Sequence, residues 1–228
     1  MGIAFLPIDI ETALPDEQKI IDYCNRQSFL DKSISNCWDT VPVYARLNED
    51  QLHDIPTLLE LIRTKTVYTG IKGKYLNNFD KEFPEIAAII DQLPFKELAY
   101  AVLFRQTSEV NPHMDRGKEE LYDSTLVEND DTKALYLEPK RYNILLTKHD
   151  YKSFYVCNTQ DSNPIYPEIP KHRACFAFSN DEHYHGANFV GQDKIMLFMS
   201  GSLDKLKHQE LIKKSMQKYS KEVIAFYQ

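Results

Sequence analysis

The side chains of this chain whose types and spacing suit chemistry are His113 and Asp115 in HMD, His185 in HYHGANF, and Lys194 beyond it. A neutral imidazole nitrogen and a hard carboxylate oxygen both ligate divalent ions. Two imidazoles and one carboxylate suit a ferrous ion held on one face, with the opposite face open to a co-substrate and dioxygen. Residues i and i+2 of an extended segment point the same way, so His113 and Asp115 reach one ion together. Pro112 biases Asn111 toward an extended or turn conformation and stiffens the approach. The third ligand arrives from elsewhere, and HYHGANF offers His183 and His185, which share a face if that segment is extended. The position of Lys194 favours His185.

Lys194 opens the apolar run KIMLFMSG, nine positions after His185 (194 − 185 = 9). Arg141 opens RYNILLT, on a face it shares with Asn143 and Leu145. Two cations and an amide inside a β core are costly unless something anionic meets them. A 2-oxoglutarate molecule meets that need while chelating the metal.

These residues require elements to position them. From residue 98 onward LAYAVLFRQT, RYNILLT, SFYVCN, RACFAFS and KIMLFMSG are short apolar or alternating runs separated by Pro, Asn, Asp and Gly clusters. Strands at this spacing predict a sandwich or barrel of jelly-roll type. Upstream, residues 16–24 predict a helix after Pro15. Residues 48–64 predict another, with Leu58, Leu59, Leu61 and Ile62 apolar and Pro56 in its first turn. Residues 79–93 predict a third, carrying Phe83, Ile86, Ile89 and Ile90. VYTGIKGKYLNNF between them reads as a strand or surface loop. Residues 203–227 predict a closing helix that packs through Leu203, Leu206, Leu211, Met216, Tyr219 and Val223. The expected plan is mainly β with flanking helices. A helical part over 1–95 and a helix over 203–228 buttress a β core over 96–202. The acidic, polar segment 117–140 reads as a lid, a substrate clamp or a solvated insertion.

The succession AVLFRQTSEVNPHMD, RYNILLT, RACFAFSNDEHYHGANFVGQDKIMLF resembles the iron(II)/2-oxoglutarate-dependent dioxygenases, whose core is a double-stranded β-helix of cupin-like, jelly-roll form. It is most similar in look to the prolyl hydroxylase and aspartyl/asparaginyl β-hydroxylase branches. The likeness covers residues 98–200, under half the chain. It implies that His113, Asp115 and His185 are the catalytic iron ligands. It also implies that Lys194 binds the distal carboxylate of 2-oxoglutarate, with Arg141 and Asn143 assisting near the other carboxylate. The implied reaction hydroxylates an unactivated C–H bond, in an amino-acid side chain of a protein or a free amino acid, and releases succinate and carbon dioxide. Most members carry Arg where Lys194 stands, though collagen-type prolyl hydroxylases use Lys, which offers a point charge and no bidentate fork. Two other classes remain open on the same residues: a jelly-roll protein that binds metal or ligand without turnover, and a zinc hydrolase using the same three donors.

Composition narrows the partners. Asp and Glu outnumber Lys and Arg 34 to 27, for a formal charge of −7, which disfavours a nucleic-acid substrate. A small molecule, peptide or protein fits better, and the sequence assigns no oligomeric state. The four cysteines lack metal-type CxxC spacing, so reduced, mostly buried thiols are expected. The opening MGIAFLPIDIETALP lacks a basic n-region, and no run approaches the ~20 apolar residues of a membrane span. A cytoplasmic protein with no membrane segment is expected.

Overall fold

The computed structural model describes residues 2–11, 13–27, 37–46, 73–115 and 139–226. Among these, eleven strands and four helices follow in order. They are β1 (Gly2–Pro7), α1 (Glu17–Arg26), β2 (Trp38–Ala45), β3 (Lys74–Tyr75), α2 (Phe79–Glu82), α3 (Pro84–Gln92), β4 (Phe95–Gln106), β5 (Val110–His113), β6 (Arg141–Leu145), β7 (Phe154–Cys157), β8 (Cys175–Phe178), β9 (Tyr184–Ala187), β10 (Ile195–Leu203), α4 (Lys205–Lys218) and β11 (Ile224–Phe226). A large sheet has the order β11-β1-β8-β6-β10-β4-β2-β3, and a small one the order β5-β9-β7. Every pairing is antiparallel. From β4 to β10 the chain alternates between sheets, with β4, β6, β8 and β10 in the large one and β5, β7 and β9 in the small one.

The period-2 alternation of strand side chains gives the large sheet two different faces. Val41, Leu103, Ile144, Ala177 and Leu197 pack on Ile20, Ile86, Ile89 and Ile212 of the helices and on Phe83 between two of them. The opposite face presents Phe5, Leu145, Phe176, Phe178 and Met196 to Phe154 and Val156 of the small sheet. The candidate site lies on this second, inter-sheet side.

Helix α1 begins where the sequence predicts, because the Asp16 carboxylate accepts the Gln18 N–H at 2.9 Å. The predicted helix over 79–93 is instead two. Pro84 takes the first position of α3, where its missing N–H costs nothing, and Phe83 between the helices leaves helical geometry. The Asn pair just before α2 turns the chain, with φ of 52° at Asn77 and 55° at Asn78, a left-handed conformation that asparagine tolerates. The helix predicted over 48–64, and nearly all of the segment 117–140, lie outside the described residues.

Two expectations need correction. The part over 1–95 is not merely helical: it supplies β1, which lies between β11 and β8, and β2 and β3 beside β4. Pro42 argues against a strand in the sequence. Here β3 pairs only with Tyr44 and Ala45, so Pro42 lies where β2 is an edge among the described residues, beside a register shift. At the other end, α4 stops at Lys218 and the chain returns as β11. The packing face of α4 is His208, Ile212 and Ser215. Leu206 and Met216, expected to pack, are exposed. None of the four cysteines is in a disulfide among the described residues, and three of them are buried. Among the described residues no helix is long and apolar enough to cross a membrane.

Candidate metal centre

His113 and His185 are direct cross-strand partners in the β5–β9 pairing. Antiparallel neighbours bring their Cβ atoms within about 5 Å, and the two imidazole centroids stand 4.3 Å apart. Three residue steps on β5, from Val110 to His113, oppose two on β9, from Ala187 to His185. This bulge holds Asn111 and Pro112, a place where a proline without an N–H is tolerated and where the next side chain is re-aimed.

Asp115 lies just past β5. Its N–H donates to the Asn180 carbonyl at 2.8 Å. Its Oδ2 accepts the Asn180 amide at 2.8 Å and an Arg141 N–H at 3.3 Å. Its Oδ1 faces Nε2 of His113 at 3.6 Å. One donor atom from each of His113, Asp115 and His185 lies within 4.8 Å of the others.

The surroundings of the two rings suit ligation. Nδ1 of His113 lies 2.9 Å from the Asn111 carbonyl. A carbonyl only accepts, so Nδ1 is the donor in this contact and Nε2 is the nitrogen turned toward Asp115, the arrangement by which an outer hydrogen bond orients a ligating imidazole. His185 is buried beside Phe178, ring centroids 4.9 Å apart. Burial pulls its pKa down to about 4, against the opposing pull of Asp115, and so keeps the ring neutral. Its Nδ1 is buried with no hydrogen-bond partner among the described residues. A cross-strand imidazole pair, an anchored carboxylate and an orphaned buried nitrogen together fit a divalent ion.

His183 does not join them. It precedes β9 in a turn, its N–H on the Ser179 carbonyl at 3.3 Å. Strand alternation therefore does not extend to it, and its ring packs on Phe226 at 5.2 Å. Arg141 is buried, with its guanidinium 4.4 Å over the Phe198 ring. Its contact with Asp115 brings it to the ligand set itself, where the sequence placed it near a co-substrate carboxylate. Asn143, two residues on along the same face of β6, approaches the Met196 sulfur at 3.4 Å, and its Oδ1 is buried without a partner among the described residues. It does not touch the three ligands in any described contact.

Lys194 immediately precedes β10 and is 1% exposed. Strand alternation puts it on the inter-sheet side with Met196. Its ammonium lies 5.7 Å from the centroid of the Trp38 ring. Trp38 packs on Phe104 at 5.6 Å, and Phe104 on Phe198 at 5.2 Å. Burial lowers the Lys194 pKa to about 7, and among the described residues no carboxylate stands within ion-pair distance. Asn180 is the residue that sequence reasoning missed. Its only signal was its place in a turn-like SND cluster between an apolar run and HYH.

No protein-family model matches the chain, and no curated protein matches it.

Proposed function

We propose that the chain is an iron(II)- and 2-oxoglutarate-dependent dioxygenase that hydroxylates an unactivated C–H bond of an amino-acid side chain, in a protein or free. The observation that carries this is the convergence of His113, Asp115 and His185 on the same inter-sheet side as a buried lysine. The alternation of β4–β10 between two sheets supports a double-stranded β-helix as the scaffold. Free thiols, three of the four buried, accord with a cytoplasmic setting.

Ferrous iron held by these residues would supply the activation of dioxygen, which is the oxidant: one oxygen atom would enter succinate as 2-oxoglutarate loses carbon dioxide, and the other would enter the substrate hydroxyl. The chain's own residues do the rest. His113 and His185 would each offer a ring nitrogen, and Asp115 one oxygen, while Arg141 and Asn180 hold the other. Lys194 supplies the charge that a dicarboxylate's far end requires, and Trp38, Phe104 and Phe198 keep that space dry, which strengthens the attraction.

Anaerobic titration with ferrous iron and 2-oxoglutarate tests the proposal. A visible charge-transfer band, with iron-dependent succinate formation once air is admitted, is the expected result. His113→Ala and Asp115→Ala abolish both while circular dichroism stays native. Metal uptake without the band or succinate indicates a non-catalytic binder, and full turnover by either variant removes the site.

A further inference from the structure

We propose that Asn180 is a positioning residue for the Asp115 carboxylate, an inference that rests on the metal-centre reading above. Asp115 follows the end of β5, so no strand pairing fixes its backbone. Asn180 holds it twice. Its carbonyl accepts the Asp115 N–H at 2.8 Å, which fixes where the residue sits. Its amide donates to Oδ2 at 2.8 Å, which fixes how the carboxylate is turned. Arg141 reaches the same oxygen from β6, at a longer 3.3 Å.

With Oδ2 engaged by both donors, Oδ1 is the oxygen directed toward Nε2 of His113, and Asp115 ligates through that single atom. The pair of hydrogen bonds to Asn180 has a second effect. Asn180 and His185 belong to one stretch of chain, the turn after β8 and the strand it leads into. Asn180 therefore ties the carboxylate of the β5 side to the segment that carries the distal imidazole. Cross-strand pairing brings the two histidines together, and Asn180 brings in the third ligand. Asn180 is only 9% exposed, so water is a poor substitute for its amide.

Cobalt(II) titration of the full chain, followed by the visible spectrum, tests this, with thermal melting recorded beside it. Asn180→Ala removes the amide. Asn180→Leu removes the donor but keeps a branched side chain of similar size and the main-chain bond, and so separates the hydrogen bond from packing if the alanine variant folds poorly. Losing an outer partner of a metal ligand typically costs 10–100-fold in affinity. About that loss is expected in each folded variant, with a shifted cobalt spectrum that a purely structural role would not produce. Wild-type affinity and spectrum in a folded variant overturn the Asn180 role and leave the metal centre standing. Failure of the wild-type protein to take up cobalt overturns the metal centre itself.

Discussion

Lys194 concentrates the tension between stability and chemistry in one side chain. A lysine 1% exposed, with no carboxylate at ion-pair distance among the described residues, bears most of the cost of its burial. Its pKa falls from 10.5 to about 7. Between those values the unfolded chain holds a proton that the folded chain has released, so the stability attributable to Lys194 rises with pH across this window. Below about pH 7 both states hold the proton, and the whole penalty remains. Lys194→Met is therefore expected to melt at a higher temperature than the wild type below neutral pH. The gap should narrow as the pH rises toward the alkaline end of the window. The same variant should lose affinity for 2-oxoglutarate, a gain in stability at the expense of function. A melting gap that ignores pH would show that burial of the charge is not its cause.

At the level of elements, β9 is the middle strand of the small sheet and carries His185, so its packing sets the site. Opposite Gly186 stands Tyr155 of β7, whose hydroxyl crosses β9 to donate to the Val110 carbonyl of β5 at 3.0 Å. That route exists because residue 186 has no Cβ. An added one would lie 2.3 Å from the tyrosine oxygen and 2.6 Å from the Val110 carbonyl oxygen. Tyr155→Phe loses a single hydrogen bond, about 1 kcal/mol. Gly186→Ala forces β5, β7 and β9 apart, for which about 1–3 kcal/mol of overpacking is typical. It also separates the paired imidazoles. Urea unfolding and metal titration should rank the alanine variant below the phenylalanine variant on both counts. Equal effects would mean that the crossing is not the constraint.

Across the whole molecule, the large sheet separates the support from the chemistry. Its helix-facing side, with Ile86 and Ile89 of α3 and Ile212 of α4, forms the larger apolar cluster, and the candidate ligands lie on the other side. Ile89→Ala leaves a cavity in that cluster and is expected to cost about 2–5 kcal/mol. Distant sites without shared partners are close to additive. Metal affinity measured well below the melting transition should therefore stay at the wild-type value. A parallel loss of affinity would show that the helices reach the site through the sheet.

Local chemistry was legible in the sequence. The ligand types at 113, 115 and 185, the apolar runs of β4, β6, β7, β8 and β10, and the start of α1 all follow from short-range patterns of side-chain type, alternation and capping. What was hidden depends on pairing between distant segments. The position of Lys194 already favoured His185 over His183, but that His185 stands directly opposite His113 comes from the register of β5 against β9. The bulge at Asn111 and Pro112 and the clasp of Asn180 on Asp115 arise only once β5 and the β8–β9 turn are side by side. The same holds for β1 and β2, whose short or proline-containing runs become strands because β8 and β4 offer them hydrogen-bond partners. Residue identity determined which atoms can bind an ion; only tertiary register, a long-range property that no local period encodes, decided which of them meet.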